Sequence, residues 1–371
     1  MKVLMLSIDA TIADPGSRSF QRIKEQSSLV DELVVLVLKK GKEYRIIEDN
    51  LKIWSSPLPG KFFSTIWAYN KARDLIKQLS IKVITAQDPF FLGSLARKLA
   101  IKFDVGYEIQ LHGDFFSNEF WKKEKWINKF LFNIGLKNLK TAGSIRTVSN
   151  RIKKDLVLQG IDEEKFTNVP INVPWQNLVN QVPGFSLKEK YPQFEYIALS
   201  LGRLEKVKNI SLILQAWQEL LNDNPKAGLV IVGNGSEEEN LRQLTNDLHI
   251  QDSVVFEPVT KDVVSYYRGA DCFVLSSYYE GWGRTVVEAI ACDCPVIMTE
   301  VGCAGELIKD GESGVVIERN KESLAKALNF FIKSSKDDEM AENARKLLET
   351  LPNNEKTKEL YLESWKKAVK K

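Results

Sequence analysis

The chain has 371 residues, 44% of them apolar and 27% charged, the composition of a globular protein with enough length for two cores of about 150 residues each. No run of 18 apolar residues occurs, which excludes a spanning helix. The net charge of +3 is unevenly spread: residues 1–175 carry 28 Lys and Arg against 19 Asp and Glu, a net +9, while residues 176–371 carry 24 against 30, a net −6.

In chain order, apolar strand-like runs alternate with helical patterns. The first series is Lys2–Ile8, Glu32–Leu38, Leu51–Trp54, Lys82–Ala86, Gly106–Leu111 and Ile145–Ser149. The second is Tyr196–Leu201, Gly228–Val232, Ser253–Glu257, Cys272–Leu275, Pro295–Met298 and Gly314–Ile317. Leucine-rich and β-branched strands separated by helices predict two parallel sheets, each covered on both faces. Between the series, Pro170, Pro174, Pro183 and Pro192 mark a linker or hinge near residues 172–195. Beyond Glu322 the pattern is helical, and Pro352 divides Asp337–Leu351 from a last amphipathic segment, Glu355–Val369. The first strand starts so close to Met1 that no secretory leader is expected, which points to a cytoplasmic protein. Cys272, Cys292, Cys294 and Cys303 lack Cys-x-x-Cys spacing and are expected to be reduced and buried.

Several motifs of the first half sit at strand ends. Asp14-Pro15-Gly16-Ser17 follows the first strand and opens a helix pattern containing Arg18, Arg22 and Lys24. His112 ends the strand Gly106–Leu111 at a sheet's C-terminal edge, where ligands of open α/β sheets bind. A lone histidine there fits a structural role as well as a catalytic one; His249 lies in an ordinary helix-to-strand connection. From Phe115 to Thr141, Phe116, Phe120, Trp121, Trp126, Phe130 and Phe132 interleave with Lys122, Lys123, Lys125, Lys129, Lys137 and Lys140, against only Glu119 and Glu124. The pattern fits either a peripheral contact of residues 115–141 with an anionic membrane or an internal helix with a solvated lysine face. No nucleic-acid motif accompanies the basic half, so a membrane surface or a phosphate-bearing acceptor is the expected partner and nucleic acid is not.

The second half carries a denser set. Gly202-Arg203-Leu204, then Lys208, follows the strand Tyr196–Leu201; a planar guanidinium and a point charge suit a diphosphate, although solvated surface cations would look the same. Gly233-Asn234-Gly235 reads as a strand-to-helix turn, with Ser236 and Glu239 in capping-box spacing, and it also stands where a nucleotide pocket would be lined. Glu280-Gly281-Trp282-Gly283-Arg284-Thr285-Val286-Val287-Glu288 places two carboxylates eight positions apart across a Gly-x-Gly turn that runs into a helix. Glycines let backbone N–H groups approach a diphosphate, the helix start favours its charge, and Glu288 can accept hydrogen bonds from ribose.

These second-half motifs resemble the retaining glycosyltransferases of family 4, whose E-x7-E signature Glu280 and Glu288 match and whose G-R-L and following lysine match Arg203 and Lys208. Gly302-Cys303-Ala304-Gly305-Glu306 and Asp310-Gly311-Glu312-Ser313-Gly314 resemble two further turns of the family, with Cys303 in place of a glycine, and Asn209 stands where glycine is frequent. The resemblance is strong from Gly202 to Gly314 and weak before residue 100. It implies a GT-B architecture of the α/β class, two Rossmann-like domains with parallel sheets facing across a cleft. Residues 1–175 would form the acceptor domain, residues 176–352 the nucleotide-sugar domain, and residues 353–371 a helix crossing back to the first. The implied reaction is transfer of a hexose, with retention, from a UDP- or GDP-linked sugar to a hydroxyl of a glycan or lipid-linked acceptor, at or near the inner face of a membrane. The implied catalytic set is His112, Arg203, Lys208 and Glu280. Donor contacts would come from Gly16, Arg203, Lys208, Gly233, Gly235, Glu280, Gly281, Trp282, Gly283, Arg284, Thr285 and Glu288. No Asp-x-Asp element adjoins these motifs, so neither metal nor cofactor is required. Two rivals bind the same donor: a sugar-nucleotide epimerase of the same fold, and a non-catalytic binding paralogue.

Overall fold

The computed structural model describes residues 1–40, 45–48, 50–333 and 337–370, which divide into two compact units: residues 1–170 with 352–371, and residues 171–351. In the first unit the strands are β1 (Lys2–Ser7), β2 (Glu32–Lys40), β3 (Arg45–Glu48), β4 (Leu51–Ser56), β5 (Val83–Ala86), β6 (Gly106–Leu111), β7 (Ser144–Thr147) and β8 (Phe166–Asn168). They form one sheet in the order β3-β4-β2-β1-β5-β6-β7-β8, parallel except for β3 at the edge. Val3 lies between Leu33 and Val83 in register. Residues 33–37 of β2 and residues 3–6 of β1 are fully buried, which is why these runs are continuously apolar rather than alternating.

The helix Asn354–Ala368 closes the first unit by packing on β5 to β8. Gly106 and Gly143 let its backbone approach: a Cβ on Gly106 would fall 1.8 Å from the carbonyl oxygen of Ala368, and one on Gly143 would fall 3.0 Å away. Beneath the helix, the fully buried carboxylate of Glu108 accepts from the hydroxyls of Thr85 and Ser364, and from Trp365 Nε1 at 3.2 Å. Three donors suit an acceptor-only group removed from water.

In the second unit, β9 (Tyr196–Leu201), β10 (Ala227–Val232), β11 (Val254–Glu257), β12 (Cys272–Leu275), β13 (Val296–Thr299) and β14 (Val315–Ile317) make an all-parallel sheet in the order β11-β10-β9-β12-β13-β14. Its core gathers around Trp217, Ile213, Leu229 and Leu328, all fully buried. The proline-spaced stretch expected as a linker is instead folded onto this unit. Leu187 is fully buried, the Gly184 N–H donates to Ser265 Oγ at 2.7 Å, and Lys188 pairs with Asp271 at 2.6 Å.

The strand expectations hold to within two residues at most ends. β3 and β8 went unread because four and three residues give too little periodicity to register. All four cysteines are free and buried, and burial pushes the Cys272 thiol up to about 12. Among the described residues no helix is long and apolar enough to cross a membrane.

Replacing Glu108 by Ala leaves the Thr85 hydroxyl and the Trp365 indole N–H buried without their acceptor and Ser364 with Ser144 alone, at 3.0 Å, at a cost of roughly 2–4 kcal/mol. Amide exchange across residues 354–368 should accelerate accordingly, and Glu108→Gln should lose less. Unchanged protection of that helix in Glu108→Ala would show that the carboxylate does not hold it.

Candidate functional site at the strand ends

Parallel pairing sends the chain out of β9, β10, β12 and β13 at one edge of the second sheet, and the motif residues lie in those exits. After β9 and β10 the backbones nearly touch: a Cβ on Gly233, whose φ is 146°, would fall 1.9 Å from the carbonyl oxygen of Gly202, and one on Gly235 would fall 2.2 Å from that of Leu204. Both glycines are therefore demanded by the crossing of two loops, whatever else they do. The capping box does not form. Ser236 donates through its N–H (3.3 Å) and hydroxyl (2.8 Å) to Glu205, and the helix Glu238–Asp247 begins with Glu237 as N-cap and no side-chain cap. A carboxylate 31 residues upstream outcompetes the local one because the loop crossing brings it there.

The exit from β9 is tied to the exit from β12. Ser276 Oγ lies 2.9 Å from the carbonyls of both Lys208 and Asn209, and the Tyr278 N–H donates to Val207 O at 2.8 Å. Asn209 takes the left-handed conformation with φ 51°, which glycine adopts freely and asparagine tolerates best among the rest. These constraints set Lys208 Nζ 2.5 Å from Glu280 Oε1, an oxygen that also accepts from Ser277 Oγ at 2.8 Å. The pair is largely withdrawn from water, with 18% and 15% of the two side chains exposed. Arg203 is exposed, and no hydrogen bond or ion pair holds its guanidinium among the described residues.

Glu280 leads into the Gly-Trp-Gly turn. Trp282 is buried with 1% exposure, so its contribution at the surface is backbone; its carbonyl accepts from the Cys303 N–H at 2.8 Å. Gly302 makes this contact possible, because a Cβ there would lie 2.4 Å from the same carbonyl. Cys303 is fully buried, filling space a glycine would leave empty. Gly283, left-handed at φ 97°, precedes the helix Arg284–Ala291, whose first backbone bond runs from Val286 N–H to Gly283 O at 3.0 Å. The N–H groups of Arg284 and Thr285 thus stand ahead of any intrahelical acceptor, at the positive end of the helix. One turn in, Glu288 is 8% exposed, accepts from Arg284 Nε at 2.8 Å, and lies 3.4 Å from the hydroxyl of buried Tyr267. Burial, and then the charge of Glu288, push the Tyr267 phenol well up, so it remains a donor to the carboxylate.

In the first unit, His112 follows β6. Gln110 Nε2 donates to Thr85 Oγ1 at 2.6 Å, because the Thr85 hydroxyl hydrogen is already given to Glu108. That fixes the Gln110 amide with its oxygen toward His112 Nε2, 3.2 Å away. The ring must then carry its hydrogen on Nε2 and leave the Nδ1 lone pair open. Burial, then the positive charges of Arg146 and Arg22, push the His112 pKa down. The residue is nonetheless exposed, which weakens the burial contribution; the repulsion of the arginines acts in the same direction and favours the neutral imidazole. Gly16 lies in a turn in which Asp14 Oδ1 accepts from its N–H at 3.0 Å, and a Cβ there would meet only that oxygen, at 3.6 Å. The backbone gives no steric reason for glycine at this position.

Ser276, Ser277, Tyr267 and Gln110 escape the sequence reading. Only the x-Ser-Ser-x pair at the end of β12 offered a signal, and serines at strand ends are too common to single out.

Comparison with known proteins places these loops in context. The family described as "Glycosyl transferases group 1" matches residues 186–347, and that described as "Glycosyltransferase Family 4" matches residues 24–171. An uncharacterized glycosyltransferase of Haemophilus influenzae is 38% identical over 138 residues, covering 36% of this chain and 38% of that protein. The alpha-monoglucosyldiacylglycerol synthase of Streptococcus pneumoniae is 27% identical over 266 residues, covering 67% of this chain and 58% of the synthase. The chain thus spans less than two thirds of the length of these curated relatives. Among solved structures, HepE of Anabaena in complex with UDP superposes with a TM-score of 0.75 at 16% identity, over 98% of this chain and 99% of HepE. With residues 24–171 and residues 186–347 each matched by a glycosyltransferase family, the chain belongs to the group 1 and family 4 glycosyltransferases.

Proposed function

We propose that the protein transfers a hexose, with retention, from a nucleoside diphosphate sugar to a hydroxyl of a glycan or lipid-linked acceptor. The observation that carries this reading is the juxtaposition of Lys208 with Glu280 at 2.5 Å, next to a glycine-bounded helix start whose first N–H groups precede any intrahelical acceptor. Such a site offers cationic and dipolar stabilisation to a diphosphate and a carboxylate to hydroxyls. HepE, solved with UDP and with UDP-glucose, and the relative named as a synthase of a glucosylated diacylglycerol support a nucleotide-linked donor and a hydroxyl acceptor.

In this reading Glu288 accepts from ribose, Arg203 and Lys208 neutralise the diphosphate, and the Arg284 and Thr285 N–H groups bind its oxygens. The bond between the anomeric carbon and the diphosphate oxygen breaks, and the acceptor oxygen bonds to that carbon on the same face. The acceptor proton passes to the departing phosphate. Glu280, freed from or sharing Lys208, orients sugar hydroxyls, and the neutral His112 offers Nδ1 as an acceptor for a hydroxyl.

The general test is incubation with labelled UDP- and GDP-sugars and a lipid extract. Label in the extract supports transfer, an epimerised nucleotide supports the epimerase, and binding without conversion supports a non-catalytic paralogue. Within that assay, Arg203→Ala and Lys208→Ala should each lower kcat by a factor on the order of 10²–10³, the first with little effect on thermal stability and the second with a loss of stability because Glu280 is left without its cation; wild-type turnover in both would dismiss the pair as charge stabilisers.

Glu288→Ala should weaken nucleotide affinity by about 1.5–3 kcal/mol in calorimetric titration with UDP and GDP. Equal affinity of mutant and wild type for whichever nucleotide binds would place ribose elsewhere.

His112 should remain neutral, with its hydrogen on Nε2, well below the usual histidine midpoint of about 6.5. Nitrogen-15 spectra can be assigned readily because His249 is the only other histidine. A midpoint near the usual value, or a hydrogen on Nδ1, would dismantle the tautomer argument.

A further inference from the structure

We infer that the bend between the helices Glu119–Glu124 and Trp126–Thr141 is a docking surface for an anionic lipid bilayer. The structure divides the aromatics of this stretch into two groups. Phe116 and Trp121 are buried, at 3% and 6% exposure, and surround Phe90, whose ring lies 5.1 Å from Trp121 and 5.9 Å from Phe116. Trp126 and Phe130 stand clear, 86% and 63% exposed, one helical turn apart on the same face, with Ile127 beside them at 40%. The first group anchors the second.

The bend itself is built rather than loose. Asn118 caps the first helix by accepting from the Trp121 N–H at 3.2 Å. Asn128, 5% exposed, donates its side-chain amide to Trp121 O at 2.6 Å, and its N–H donates to Lys125 O at 2.9 Å. Trp126 is therefore presented on a fixed turn, so docking costs little ordering entropy.

The surrounding charge selects the occupant. Lys123, Lys125 and Lys129 are exposed around the three apolar side chains, with Glu124 the only acid among residues 120–130. Protein interfaces enrich tryptophan and phenylalanine but deplete lysine. A bilayer takes both: indole and phenyl rings settle at headgroup depth, while lysine stems extend along them and place ammonium groups among lipid phosphates. The net +9 of residues 1–175 adds long-range attraction of the same sign. This attachment is independent of the transfer reaction.

The test is flotation of the full chain with vesicles of neutral phosphatidylcholine, alone or mixed with phosphatidylglycerol, at low and high salt. Binding is expected to the mixed vesicles only, falling with salt. It should fall on the order of 10²-fold when Lys123, Lys125 and Lys129 are changed to Glu, and at least about 10-fold in Trp126→Ser/Phe130→Ser. Both variants alter exposed side chains, and circular dichroism checks that they fold. Equal recovery with neutral and mixed vesicles, no flotation at low salt, or undiminished flotation of the serine variant would each overturn the proposal. So would a concentration-dependent dimer abolished by the same serine substitutions, because a second copy would then be the occupant.

Discussion

Parallel pairing is the constraint from which the rest of this structure follows. Because every strand of the second sheet runs the same way, every exit lies on one edge, and segments far apart in sequence must share that edge. The glycines follow from the crowding: loops leaving neighbouring strands approach so closely that Gly233 and Gly235 admit no side chain. The ion pair follows too, since Lys208 and Glu280 leave adjacent strands, β9 and β12, with their backbones stitched by Ser276. A lysine already held by a carboxylate enters any reaction oriented, and the pair carries no net charge into its partly buried setting. This lowers the cost of keeping two ions away from bulk water.

The same economy recurs in the first unit with a single charge. Glu108 is fully enclosed and depends on donors from β5 and the last helix. Its influence extends along Thr85 and Gln110 to the imidazole of His112, so a fully enclosed carboxylate dictates which ring nitrogen carries the hydrogen. The relay needs no moving part. Each donor has one acceptor left to it, and the directions are set by elimination.

The sequence made the general plan legible wherever a physical signal was strong and local. Continuous apolar runs identified twelve of the strands, and the spacing of Glu280 and Glu288 across a Gly-x-Gly turn identified a helix start with carboxylates on either side. It was silent where the decisive contact was distant. Nothing in Ser236-x-x-Glu239 reveals that Glu205 will claim the serine, and nothing in the aromatic stretch reveals that Trp121 turns inward while Trp126 turns outward. Arg203 illustrates the opposite limit: its position was legible, but its guanidinium makes no bond among the described residues, so the structure adds its exposure and little else. Gly16 is expected among the donor contacts, and its geometry would accept other residues.

The first unit is assembled from two pieces of chain separated by residues 171–351. During synthesis at roughly 5–20 residues per second, the intervening segment takes on the order of 10–40 s to emerge. Throughout that interval Glu108 lacks Ser364 and Trp365, and the face over β5 to β8 is uncovered. The second unit is contiguous and can complete its sheet as it leaves the ribosome. The order of completion therefore runs against the order of translation: the half made first is finished last, and until then the polar face that carries Glu108, Thr85 and Ser144 stays open to water.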